Sequence, residues 1–284
     1  MDDHERDQDV WLDPLTRGSV MHDLFAQLMR RARDAGRRLA IDADLPWSLD
    51  LGRAELLRLD TEMPSPSREV FEREQQEVLD DIDLFVRTEA DADPSRTPLA
   101  FEVSFGRPDD GEEPLAQPDP IVIDLGHGLR FRLAGRIDRI DQIGPSSFEI
   151  IDYKTGGYWD NDWQGTFGGG QMLQHALYGL AAVQILKRRV AHPRVTDGVY
   201  SFPCVKGRQE EKRIPAPSLA AVTAVLDDLR AVIATGLFVH APEKDPCKWC
   251  DFGHACGGSA GPRATQKIDS DAALAPYGKL VAHE

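Results

Sequence analysis

Between residues 98 and 153 the apolar positions of this chain stop recurring every three or four residues and begin to alternate. The segments 98–105 (PLAFEVSF), 120–125 (PIVIDL), 129–142 (LRFRLAGRIDRIDQ) and 148–153 (FEIIDY) carry β-branched and aromatic side chains, with Pro, Gly and Asp between them. That pattern predicts consecutive antiparallel strands. DDGEEPLAQPD at 109–119 reads as a polar hairpin loop, and Gly144-Pro145-Ser146-Ser147 as a tight turn. On either side the helical period returns. Met21, Leu24, Phe25, Leu28, Met29 and Ala32 predict a helix over about 19–35, capped by Ser19 and ended by Gly36. Residues 37–66, with Pro46, Pro64 and Pro66, read as a mixed connection holding a short helix around 52–58, and Phe71, Val78, Ile82 and Phe85 mark a long helix over 67–90 with an acidic outer face. After Gly168-Gly169-Gly170 come a helix over about 171–189, a strand at 197–203 and an amphipathic helix from Ser218 to Gly236. The order α-α-β-β-β-β-α-β-α predicts an α/β fold with a mixed central sheet flanked by helices.

Charge narrows the function. The 284 residues hold 33 Lys plus Arg against 48 Asp plus Glu, a net charge of −15, which excludes a nonspecific nucleic-acid coat protein because phosphate binding relies on Lys and Arg. Contact with nucleic acid must then be local. No stretch approaches the roughly 18 to 20 consecutive apolar residues of a spanning helix, and the first twenty residues are too acidic for a signal or transit peptide. The expectation is a cytoplasmic protein with no membrane partner.

The hairpin 129–153 concentrates the chemistry. Asp152 and Lys154 are two residues apart, so both project from one face of an extended strand. Folding about the 144–147 turn brings Asp138 roughly opposite them, given an odd loop or a bulge. Two carboxylates so placed can hold Mg²⁺ or Mn²⁺, and Lys154 can position a water or offset charge on a phosphorane. The alternative is an exposed salt bridge on a strand face.

GRIDRID followed by EIIDYKTGG resembles the PD-(D/E)XK nuclease superfamily, in particular its RecB-like branch, where a Gly-x-x-Asp strand precedes an Asp-x-Lys strand ending in Thr-Gly. QMLQHALYGLAA resembles the branch's Gln-x-x-x-Tyr motif, through Gln174 and Tyr178, and LTRGSVMHDLF its Gly-x-x-x-His motif, through Gly18 and His22. The four motifs span residues 15–180 in the order of the branch. The resemblance implies a restriction-endonuclease-like core and a divalent-metal-dependent deoxyribonuclease of exonuclease type, acting in double-strand-break repair or recombination. It implies metal binding by His22, Asp138, Asp152 and the backbone carbonyl of Tyr153, assistance by Lys154, and substrate positioning by Gln174 and Tyr178. The corresponding division of the chain is a flexible segment 1–14, a nuclease domain 15–240, a cysteine-rich segment 241–260 and a flexible tail 261–284.

Cys247, Cys250 and Cys256 crowd into ten residues, a spacing for metal or iron-sulfur ligation and not for disulfides. Cys-x2-Cys-x5-Cys resembles the end of the [4Fe-4S] staple of AddB-type helicase-nuclease subunits, in which a fourth cysteine lies upstream of the His motif. No cysteine precedes Leu15 here. Three explanations compete: a start that has lost the first ligand, use of Cys204, or a zinc site completed by His254. DNA contact is expected from Trp159 and Trp163 by base stacking, and from Lys187, Arg188, Lys206 and Arg208, in three basic clusters that include Arg30, Arg31, Arg33, Arg37 and Arg38 and extend to Lys212 and Arg213. No GxxxxGK[ST] motif occurs, so any helicase activity has to come from a partner or from missing sequence. The rival reading is a noncatalytic DNA-binding or scaffold module with a structural zinc or iron-sulfur site.

Overall fold

The computed structural model describes residues 9–107, 113–126, 128–160, 163, 165–237, 239, 250, 253–256 and 260–284. The chain packs as two compact units. The first comprises residues up to Ile123, Arg132–Asp160 and Leu177–Ala216; the second comprises Asp124–Phe131, Asn161–Ala176 and Pro217–Glu284.

Three long helices open the first unit: α1 (Pro14–Asp34), α2 (Ile41–Glu62) and α3 (Arg68–Ala90). Helix α1 starts five residues before the predicted Ser19. Asp13 is the cap, accepting from the backbone N–H groups of Leu15 and Thr16, and Pro14 occupies a first-turn position where no amide is needed. Gly18 and His22 therefore both lie inside the helix.

The region expected as a mixed connection is the single helix α2, with Pro46 inside it. Pro46 is the sixth residue of the helix, past the first turn, and has no amide to offer the Asp42 carbonyl; at the helix start buried Asp44 accepts from Ala40 N–H at 2.8 Å while pairing with Arg37. Helix α3 starts at Ser67 as predicted, but two of its acids turn inward. Glu74 accepts from the N–H groups of Trp11 and Leu12, and Asp81 from Val205 N–H and from Arg17. Trp11 and Leu12, assigned above to a flexible segment, are buried.

The five-stranded sheet runs β1 (Thr97–Phe105), β4 (Gly135–Gly144), β5 (Ser147–Tyr153), β6 (Arg194–Phe202), β7 (Glu210–Pro215). Its β5–β6 pair is parallel and the rest are antiparallel, so the sheet is mixed as expected. Strand pairing is not consecutive, however. β2 (Ile121–Asp124) and β3 (Arg130–Leu133) form a separate two-stranded ribbon, the predicted strand 129–142 breaks at Ala134, and β1 pairs past the ribbon with β4. β7 lies between the strand expected at 197–203 and the helix expected from Ser218, where no element was predicted. It is an edge strand of sequence EEKRIP, and its charges hide any alternation.

Met21, Leu24, Phe25 and Leu28 of α1 pack with Val78, Ile82 and Phe85 of α3 and with Ile151, Tyr153 and Val199 of the sheet. Phe25 and Phe85 stack at 4.0 Å between centroids. Helix α2 approaches α3 through Gly52, where a Cβ would lie 2.5 Å from Ile82 Cδ1.

Helix α4 (Gln174–Leu186) follows a 3-10 turn at Gly168–Gly170. In the second unit, α5 (Leu219–Thr235) is capped by Ser218 and ended by Gly236 in the left-handed region. Gly253–Cys256 makes one helical turn, and the expected flexible tail carries α6 (Ala260–Ser270) and α7 (Ala275–Val281).

Candidate metal and catalytic centre

The ladder registers put one row of side chains across the sheet. Phe101 pairs with Arg139 and Val103 with Ile137, so Glu102 stands opposite Asp138. Arg139 pairs with Ile151, which places Asp138 opposite Asp152, and Asp152 pairs with Tyr200. A register shift between Gln142 and Gly144 is the bulge that this alignment needs. Neighbours alternate to the other face. There Arg139, 2% exposed, makes a bidentate pair with Asp141, also binds Glu89, and donates to the Tyr153 hydroxyl at 3.1 Å.

Main-chain atoms of β5 orient the row. Tyr153 N–H donates to Asp138 Oδ2 at 2.8 Å, and Tyr153 O is 3.1 Å from His22 Nε2. The other imidazole nitrogen, Nδ1, stands 3.5 Å from Asp138 Oδ2 and 3.7 Å from Glu102 Oε1. Lys154 Nζ lies 2.6 Å from Asp152 Oδ2, while Lys154 N–H donates to Ser201 O at 2.7 Å and so extends the β5–β6 pairing. Arg136 Nε lies 2.8 Å from Glu102 Oε2.

These charges shape the protonation states. Burial disfavours the charged form of His22, but the Asp138 carboxylate and then the nearby Glu102 carboxylate outweigh it and push the imidazole up to about 10. Asp152 is pushed up to about 6, first by burial and then by the Asp138 carboxylate, with Lys154 opposing.

Glu102 was not among the residues singled out from sequence. It is 8% exposed and holds φ +51°, a left-handed conformation that a non-glycine residue adopts in mid-strand only under strong constraint. The available signal was a lone acid inside the apolar strand FEVSF; its relevance depends on β1 pairing with β4, which periodicity does not reveal.

The donor set fits a divalent cation. Ligand atoms of His22, Glu102 and Asp138 lie within 4.8 Å of one another, and Glu102 Oε1 is buried with no hydrogen-bond partner among the described residues. One imidazole with carboxylate oxygens suits Mn²⁺ or Mg²⁺. A cavity of about 320 Å³ elsewhere in this unit, lined by Met29, Arg37, Leu39, Glu89, Pro94 and Arg139, contains none of the row.

Tyr178, one turn into α4, brings its hydroxyl against β4: a Cβ on Gly135 would lie 3.0 Å from it. Gln174 opens the same helix and belongs to the second unit. Trp159 is 64% exposed, and Trp163 half-buried. Exposed Lys187 lies 3.1 Å from Gln184, Arg188 donates to Leu115 O and Gln117, Lys206 pairs with Glu77 at 3.6 Å, and Arg208 donates to Tyr158 O. The arginines at the end of α1 do not form a free basic patch. Arg30 and Arg33 bind buried Glu113, Arg31 and Arg37 bind Asp44, and Arg38 closes the end of α3 through Glu89 O and Ala92 O. Lys212 and Arg213 lie on β7, with Arg213 paired to Glu149.

Cys204 is fully buried, and burial pushes its thiol well above the usual range, with Asp81 beside it adding to the shift. That environment opposes the thiolate a metal requires. Cys250 is exposed and Cys256 partly so; Cys247 and the side chain of His254 lie outside the described residues. No described helix is long and apolar enough to cross a membrane.

Comparison with known proteins adds two findings. The family profile described as "PD-(D/E)XK nuclease superfamily" matches residues 3–257. An ATP-dependent helicase/deoxyribonuclease subunit of Acetivibrio thermocellus is 43% identical over 63 residues, covering 21% of this chain and 5% of the relative. The Symbiobacterium thermophilum protein of the same name is 36% identical over 111 residues, covering 37% of this chain and 9% of the relative. The chain thus spans under a tenth of the length of these relatives.

Proposed function

The chain belongs to the PD-(D/E)XK nuclease superfamily, and we propose on that footing that it is a divalent-metal-dependent deoxyribonuclease of exonuclease type, working in DNA repair or recombination alongside a helicase subunit. The observation that carries this reading is the convergence of Glu102, Asp138, Asp152, His22 and Lys154 on one end of the sheet. The printed name of the partial relatives, a helicase/deoxyribonuclease subunit, supports the DNA substrate and the helicase partner.

His22, Asp138, Asp152 and the carbonyl of Tyr153 would hold the cation, with Glu102 as an added carboxylate. When bound, the cation would supply Lewis acidity at the phosphodiester. Lys154, held by Asp152, presents an ammonium beside the reacting phosphate, where it orients a water and offsets negative charge as it develops. Arg136 fixes the Glu102 carboxylate. Tyr153 N–H keeps Asp138 turned toward His22, so the ligands are set before substrate arrives. Gln174 and Tyr178 hold the substrate strand. Trp159 and Trp163 stack on bases, and Lys187, Arg188, Lys206 and Arg208 follow the backbone.

For the tail, the Cys-x2-Cys-x5-Cys spacing supports an iron-sulfur site at Cys247, Cys250 and Cys256, read out by iron and sulfide analysis of anaerobically purified protein. The deciding experiment for the whole reading is end-labelled single-stranded and double-stranded DNA incubated with Mg²⁺, with Mn²⁺ and with chelator. Release of labelled mononucleotides or short products only with metal is the expected result. No cleavage of either substrate with either metal removes the enzyme.

A further inference from the structure

The glycine turn before Gln174 is built to be held from outside. Gly165, Gly168, Gly169 and Gly170 all have positive φ, at 70°, 51°, 64° and 85°. These glycines have the widest conformational freedom of any residue and no side chains of their own to pack. Here the segment around α7 fills the space. Leu280 is buried against the turn, and a Cβ on Gly170 would lie 2.8 Å from Leu280 Cδ1. Gly169 N–H donates to His283 O at 2.7 Å, and a Cβ on Gly165 would lie 2.6 Å from the main-chain carbonyl carbon of Glu284.

The clasp is anchored in turn. His283 Nε2 lies 2.8 Å from Asp228 Oδ2 on α5, and the His283 ring meets buried Phe167 edge-on at 6.3 Å. Phe167 O accepts from Gly170 N–H and from Met172 N–H, both at 2.9 Å, which closes the turn two residues before α4. A continuous set of contacts therefore runs from α5 through the residues that follow α7 to Met172, two residues before α4.

We infer that Leu280, with the backbone at His283, is a positioning residue: it fixes the glycine turn and thereby sets where Gln174 meets the substrate. This rests on the reading of Gln174 as a substrate-holding side chain. The clasp itself is a matter of local order and can be measured without catalysis.

The test compares wild type, Leu280→Ala, Gln174→Ala and the double variant in the full chain. It reads hydrogen exchange at residues 165–173, together with KM and kcat on an oligonucleotide with Mn²⁺. Leu280→Ala should speed exchange in that segment and raise KM roughly tenfold, equivalent to about 1.4 kcal/mol, with a smaller effect on kcat. Gln174→Ala should raise KM to a similar degree, and adding Leu280→Ala to it should change little, because both act through one side chain. Leu280→Met should restore wild-type behaviour. Should Leu280→Ala fail to fold, Leu280→Val, which shortens the reach to Gly170, takes its place. Unchanged exchange at 165–173 overturns the clasp, and effects that multiply in the double variant overturn the positioning role. Wild type that cleaves nothing removes the nuclease reading instead, and exchange still decides the clasp.

Discussion

Lys154 and Glu102 touch the same row of carboxylates, yet their removal should have different consequences. Lys154→Ala deletes the ammonium beside Asp152 and leaves the other ligands in place, so cleavage should fall by roughly 10²–10³, the scale of one lost stabilising group at a developing charge. Mn²⁺ binding by calorimetry should persist; cleavage at the wild-type rate would remove Lys154 from the mechanism. Glu102→Gln should instead weaken Mn²⁺ by at least the roughly 10–100-fold that even outer partners of a metal site command. Unaltered affinity would make Glu102 a partner of Arg136 and nothing more. Asp138, Asp152 and Lys154 were legible in the sequence because a short turn and strand alternation leave little freedom within one hairpin. Glu102 was not, since nothing in a two-residue period states that β1 passes over the ribbon β2–β3 to find β4. His22 became legible only through its motif: one nitrogen reaches the carboxylates and the other the Tyr153 carbonyl, a geometry no helical period encodes.

Helices whose apolar stripe is uninterrupted, α1, α3 and α5, were readable to within a few residues. Helix α2 was hidden by Pro46, which reads as a breaker in sequence but here sits inside the helix, in its second turn. β7 was hidden by charge, because Glu210, Glu211, Lys212 and Arg213 sit on an edge strand where both faces tolerate them. The α2–α3 contact gives an element-scale prediction against ordinary helix propensity. Gly→Ala in a helix interior normally stabilises by about 1 kcal/mol, but a Cβ at Gly52 meets Ile82 Cδ1 at 2.5 Å inside a sealed interface. Gly52→Ala should therefore destabilise the protein by a net 1–2 kcal/mol or so, as overpacked cores do. Ile82→Val deletes the offending methyl and should suppress that loss in the double variant. Urea titration measures all three, and a stabilised Gly52→Ala would show that α2 moves freely over α3.

For the molecule as a whole, a net charge of −15 and the internal pairing of the arginines at the end of α1 mean that, on the proposed function, DNA contact would fall to a small set of cations. Acid should weaken the fold at an identifiable place. Burial pulls His175 down to about 4 from its usual 6.5. Between those values the unfolded chain takes up a proton that the folded one refuses, so stability falls as pH drops from about 6.5 to about 4 and this contribution is constant below that. His175→Asn should lessen the drop in Tm between pH 7 and pH 5; an unchanged drop would assign the sensitivity to other groups. Cys204 gives the fold a built-in alarm of a different kind. With its thiol sealed beside Asp81 and held protonated, an alkylating reagent can label it only during moments when α1, α3 and the β6 end part company. The pace of its slow modification is then a clock for how often the native state comes apart, readable by mass spectrometry in a crude lysate.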